Sequence, residues 1–144
     1  LGLDAVLRTT STEFTARTGV AVKLACVVLT ARLPADTELA LYRILQEALK
    51  NVQKHARARQ VSVQLTRQRD SVRLIIKDDG IGFDSEHPPV KRGGSSGLGL
   101  LGMRERAAYV GGVLTIKAVR RAGTKITVSM PLPPTPKTST PNDL

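Results

Sequence analysis

The chain has 144 residues, 41% of them hydrophobic and 24% charged, which suits one compact domain with a real core. No apolar run approaches the roughly 20 residues needed to span a bilayer as a helix. A formal charge of +10 invites nucleic acid, but two Phe, two Tyr and no Trp leave little to stack bases on, and the basic residues are dispersed. The expectation is no nucleic-acid partner, with a positive potential that draws a polyanionic ligand or an acidic partner domain.

The chain begins at Leu1 without a signal peptide and reads as an excised fragment. Its single cysteine, Cys26, has no partner for an internal disulfide and reads as a small core residue. Residues 3–18 predict a helix stopped by Gly19, a residue suited to a left-handed cap. Val20, Val22, Leu24, Cys26 and Val28 then alternate with the strand period. After Pro34, Asp36 offers a cap for a second helix running to about Ala56, with Leu41, Ile44, Leu45, Ala48 and Val52 as its apolar stripe. Val61, Val63 and Leu65, then Val72, Leu74 and Ile76, predict an antiparallel hairpin turning at Arg69-Asp70. Residues 79–97 lack periodicity and are rich in glycine, so they predict a long functional loop. A helix follows from about Leu98 to Val110, ending at Gly111-Gly112. Strands near 113–119 and 124–131 come last, joined by a turn at Arg120–Gly123. This order predicts an α+β two-layer sandwich, with helices on one face of a mixed, mostly antiparallel sheet. The predicted domain is 1–131, with 132–144 as a disordered tail rich in Pro, Thr and Ser.

Three constellations carry chemistry. Glu47, Asn51 and Lys54 lie at i, i+4 and i+7, on one side of the second helix. A carboxylate at Glu47 can polarise a nucleophile. The Asn51 oxygen suits Mg²⁺, and Lys54 can neutralise phosphate. The same spacing also describes a plain solvated face. The second constellation is Asp78-Asp79-Gly80-Ile81-Gly82-Phe83, directly after a strand. A carboxylate there can accept the exocyclic amine of adenine, and Gly80 and Gly82 let backbone approach a flat ring; a turn capped by Asp is the simpler reading. The third is Gly97-Leu98-Gly99-Leu100-Leu101-Gly102, leading into a helix whose free N–H groups can cradle an anion. It spells G-x-G-x-x-G but lacks the preceding strand and later acidic residue of a dinucleotide fold, and the Walker pattern is absent.

Taken in order, the three motifs resemble the ATP-binding (Bergerat-type) fold shared by DNA gyrase, histidine kinases and the mismatch-repair MutL proteins. The carrying segments are YRILQEALKNVQKHA (42–56), IKDDGIGFD (76–84), SGLGLLGMRERA (96–107) and GTKITVSMPL (123–132), and the wording is most similar to the nitrate-sensor-like and DesK-like histidine kinases. The resemblance implies ATP and Mg²⁺ as cofactors and γ-phosphate transfer to a histidine. It implies Asn51 as metal ligand, Glu47 as the residue orienting the nucleophile and Lys54 as a phosphate contact, with His55 as a neighbour. It implies Asp78 as the adenine carboxylate with Gly82 beside it, and Asp79 as structural. It implies Gly97, Gly99 and Gly102 as phosphate-side glycines, with Leu98 and Leu100 between them. Thr124 is implied to support adenine recognition, and 84–96 to be a lid. It further implies a cytoplasmic domain, a homodimeric parent, a histidine-bearing dimerisation domain and a downstream response regulator.

Neither His55, on the second helix, nor His87, before Pro88-Pro89, sits in the heptad-patterned hairpin that a phosphoacceptor needs. The acceptor is therefore expected on a separate domain. A stand-alone ATPase or anti-sigma-type serine kinase on the same fold is the alternative reading, and a docking module without catalysis is a third.

Overall fold

The computed structural model describes residues 2–27, 29, 31–83 and 99–133. In chain order the elements are α1 (Leu3–Thr18), β1 (Ala21–Cys26), α2 (Ala35–Asn51), β2 (Gln60–Gln68), β3 (Ser71–Asp78), α3 (Leu100–Tyr109), β4 (Val113–Val119) and β5 (Gly123–Pro131). A π-helical turn, Val52–Ala56, continues α2. The five strands form one sheet in the order β1-β2-β3-β5-β4. Only β1 and β2 pair in parallel, with α2 in the connection between them; the other three pairings are antiparallel. The helices cover one face, as the element order predicted.

Local chemistry explains the boundaries. Gly19 closes α1 in the left-handed region at φ 78°, its N–H donating to the Thr15 carbonyl. Pro34, not Asp36, is the N-cap of α2: the Pro34 carbonyl accepts from Glu38 N–H at 3.0 Å. Asp36 sits inside the first turn, where it complements the helix dipole without capping. Glu38 in the same turn receives two bonds from Arg32, at 3.1 and 2.9 Å. Helix α3 starts at Leu100, because Gly99 takes φ 61° as its N-cap and cannot continue a right-handed helix.

The core lies between the layers. Leu41, Ile44, Leu45 and Ala48 of α2 are at most 1% exposed and meet Val61, Val63, Leu65, Val72 and Leu74 from the hairpin. Burying each large aliphatic side chain contributes about 1.5–3 kcal/mol. The core includes Leu3, Leu7 and Phe14 of α1, Met103 and Ala107 of α3, and Val128 and Met130 of β5. Two expectations need correction. Cys26, on the edge strand β1, is only partly buried against the core. Leu132 does not open a tail: it is buried, and its N–H donates to the Asp70 carbonyl at 2.8 Å. The expected tail residues from 134 onward lie outside the described residues.

Candidate functional site

Period-2 alternation decides what faces the helices at the ends of β3 and β5. Ile76 and Asp78 share the inward face of β3; Ile126 and Thr124 do the same on β5. The π-helical turn lies opposite. An extra residue per turn re-aims the side chains that follow: Asn51, Val52, His55 and Ala56 line one cavity, and Lys54 does not. Between them is a cavity of about 260 Å³, lined by these residues with Ala48, Ile81, Gly82, Phe83 and Leu100. Its walls are mostly apolar, with a few polar groups, as in small-molecule sites generally.

Asp78 is the buried ionisable group here, 8% exposed. Burial pushes its carboxyl above the usual carboxylate range, and the nearby Asp79 charge adds to that. The backbone N–H groups of Gly80 and Thr124 donate to the carboxylate and oppose the rise. The Gly80 bond is 2.9 Å, to Oδ1. Asp79 is structural, as expected: its Oδ1 accepts from the N–H groups of Arg59 and Gln60 at 2.9 and 3.0 Å. Those bonds hold its carboxyl below the usual range and tie the end of β3 to the start of β2.

The glycines differ in what they do. A Cβ on Gly80 would come within 2.8 Å of the Ala56 carbonyl carbon, while Ile81 N–H donates to the Ala56 oxygen at 2.7 Å. Gly80 thus lets the loop satisfy a helix-end carbonyl. Gly82, at φ 62°, lies against the backbone of Val119 and Gly123, with the Gly123 oxygen 2.9 Å from any added Cβ. Gly99 packs on the Glu47 side chain, whose carboxyl carbon would be 2.8 Å from a Cβ there. This contact brings Glu47 to the start of α3, beside the cavity rather than among its lining residues. Gly102 has nothing within 4 Å of its Cβ position; it is exposed and lines a separate groove.

The structure therefore brings together Asn51, Asp78, Gly82, Leu100 and Thr124, with Gly80 and Gly99 shaping the walls and Glu47 adjoining them. It leaves Lys54 and Gly102 outside the cavity. Gly97, Leu98, His87 and the expected lid, 84–96, lie outside the described residues. Sequence reading missed Ala48, Val52, Ala56, Ile76, Ile81, Phe83 and Ile126 as lining. The strand pair was recoverable from alternation, since Ile76 and Ile126 stand two residues from Asp78 and Thr124.

An α+β sandwich with a buried carboxylate in a mostly apolar cavity is the kind of site that takes a small molecule. Residues 36–134 match the family described as histidine kinase-, DNA gyrase B-, and HSP90-like ATPase. The sensor histidine kinase MctS of Rhizobium johnstonii is 41% identical over 133 residues, 91% of this chain and 28% of that protein. The signal transduction histidine-protein kinase/phosphatase DegS of Brevibacillus brevis is 38% identical, over 92% of this chain and 33% of that protein. The chain thus spans about a third or less of these relatives. The solved histidine kinase domain of the blue-light activated histidine kinase from Erythrobacter litoralis EL346 has the same fold. Its TM-score is 0.72 at 21% identity, covering 92% of this chain and 62% of that one. The chain belongs to the histidine kinase-, DNA gyrase B- and HSP90-like ATPase family, as a catalytic domain of the kind that sensor histidine kinases carry. Among the described residues no helix is long and apolar enough to cross a membrane.

Proposed function

We propose that this domain binds Mg·ATP in the cavity beside Asp78 and presents the γ-phosphate to a histidine on a separate dimerisation domain of a homodimeric parent, upstream of a response regulator. The observation that carries this reading is Asp78 itself: a buried carboxylate, fixed by two backbone donors, facing an apolar slot. Asp78 accepts the adenine amine, and Thr124 supports it from the adjacent strand. Gly82 and Ile81 flank the ring, and Leu100 closes the far side. Phosphates extend toward the N-terminus of α3, where Gly99 and the first turn of the helix supply backbone N–H groups. Lys54, exposed one turn beyond Asn51, reaches them as a flexible point charge.

Among the described residues no cluster of three or more His, Cys, Asp or Glu could hold a metal alone. Mg²⁺ keeps its waters and takes few protein ligands beside phosphate oxygens. Asn51 is the residue that would hold it, and the ion would supply charge neutralisation at the phosphates. Glu47, against Gly99, orients the incoming nucleophile. The rest of catalysis is positioning and electrostatics. The serine-kinase and stand-alone ATPase readings are not favoured, since the matched relatives are named histidine kinases.

Labelled ATP tests this. The chain alone should bind ATP and label itself hardly at all; adding a histidine-bearing helical hairpin as a second chain should produce acid-labile label. Glu47→Gln should slow that transfer by roughly 10²-fold, within the range for a positioned acid–base group, while shifting ATP affinity little. Strong self-labelling lost on His55 or His87 substitution would place the acceptor within this chain and end the proposal.

A further inference from the structure

The face of the sheet away from the described helices carries an unusual rung. The strand registers pair Lys23 with Ser62, Ser62 with Lys77, Lys77 with Lys125, and Lys125 with Lys117. Directly paired residues point to the same side of a sheet. Four lysines and one serine therefore line up across all five strands, on the face away from the helices, and all four lysines are exposed. At a strand spacing of about 4.8 Å, the rung is roughly 19 Å long. Arg73 lies on the same face, and no outward position of any strand holds Asp or Glu. Among the described residues, the one salt bridge is Arg32–Glu38, on the helix side. Like charges directly opposite one another destabilise a sheet, so the arrangement works against the fold unless something anionic covers it.

We infer that this face docks on an anionic phospholipid surface. Its chemistry fits a broad, diffuse anion rather than a folded protein. The charges of the rung itself are lysines, compact and hydrated, rather than arginine forks suited to fixed carboxylates. The outward strand positions carry no aromatic side chain to act as an anchor, and protein interfaces concentrate their affinity in buried aromatic and arginine hot spots. Instead, Val113 and Val119, 68% and 62% exposed, flank Lys117 on the same face of β4. Short aliphatic side chains beside lysines suit shallow contact at a headgroup layer. Asp78 and the cavity lie on the opposite face, so docking would leave the nucleotide mouth open. The inference rests on strand register and charge, not on the nucleotide reading, so either can fail alone.

Co-sedimentation of the 144-residue chain with vesicles tests it. Vesicles of phosphatidylcholine alone should bind little, and those mixed with phosphatidylglycerol should bind strongly, the binding fading as salt rises. Each lysine near an anionic surface is worth about fivefold, so changing all four of Lys23, Lys77, Lys117 and Lys125 to Gln should weaken partitioning by several hundredfold. The same variant should melt no lower than the parent, since it removes repulsion. A control changing Arg8, Arg17, Lys50 and Arg104 to Gln, equal in charge but on the helix layer, should keep most of the binding. Equal losses in both variants would show net charge acting without the sheet face, and overturn the inference. So would indifference of the parent chain to phosphatidylglycerol, or tighter binding to polyglutamate than to vesicles, which would assign the rung to an acidic protein.

Discussion

The groove between α2 and α3 and the cavity between α2 and the sheet share one helix, yet only the smaller has the makings of a site. The groove holds about 470 Å³ and is lined by Asp36, Leu39, Ala40, Arg43, Gly102, Glu105, Arg106 and Tyr109. All of these but Ala40 are exposed, so its charged groups keep their water. The cavity holds about 260 Å³ and has a carboxylate buried among aliphatic walls. Desolvation makes that carboxylate's hydrogen bonds strong and its unpaired state costly. Volume is thus a poor guide; a polar group held in an apolar wall is a better one.

The sharpest way to break this contrast is at Gly82. Its φ of 62° and the backbone of Val119 and Gly123 leave no room for a methyl group, and backbone cannot step aside as a side chain can. Gly82→Ala should cost about 1–3 kcal/mol of stability. We expect ATP affinity to fall by roughly several hundredfold, equivalent to about 3–4 kcal/mol. Chemical denaturation and nucleotide titration measure the two; near-wild-type values for both would mean the loop seats elsewhere.

Asp78→Asn comes next. Losing a charged hydrogen bond should weaken ATP binding by about 10- to 150-fold. Its effect on stability should have the opposite sign. The folded-state pKa of Asp78 lies above the unfolded value, so the folded protein holds this proton more tightly. Raising the pH from the unfolded to the folded pKa therefore removes stability, and at neutral pH the buried charge is a cost. The variant should melt at neutral pH no lower than the parent while binding ATP worse. In the parent, ATP affinity should begin to fall on acidification at a higher pH than an ordinary carboxylate would give. A variant that loses stability at pH 7 and retains affinity would reverse the assignment.

Asn51→Ala should remove most of the affinity gained on adding Mg²⁺, roughly tenfold for one lost ligand interaction. Isothermal titration with and without the metal shows this directly; an intact Mg²⁺ gain would make Asn51 a wall residue only.

The smallest effect should come from Gly102→Ala, on the groove side. Its Cβ would point into open space on a helix, where alanine is favoured over glycine by up to about 1 kcal/mol. Thermal melting should rise slightly and ATP affinity should hold within about twofold. A large affinity loss would show that the groove-facing glycine belongs to the phosphate cradle after all.

Much of this molecule was legible in the residues themselves. Alternation at Val61–Leu65 and Val72–Ile76 and the stripe Leu41–Val52 specified strands and helix, because burying an apolar face imposes the element's own period on the sequence. Asp78 and the two glycines after it stood out because chemistry at a strand end needs those residue types. Local patterning could not determine the rest. Regular 3.6-residue spacing put both Lys54 and His55 near the site face, but with a π turn after Asn51 only His55 lines the cavity. The G-x-G-x-x-G run made Gly99 and Gly102 look alike; only packing separates a glycine pressed on Glu47 from one facing solvent. The lysine rung was invisible because Lys23, Lys77, Lys117 and Lys125 are far apart in sequence and meet only through strand order β1-β2-β3-β5-β4. Sequence by itself determined the elements, the family and a carboxylate at the end of a strand, since these depend on local period, residue type and the order of motifs. The tertiary structure decided which side chains share a wall or a rung, since that depends on helix register and strand pairing between distant segments.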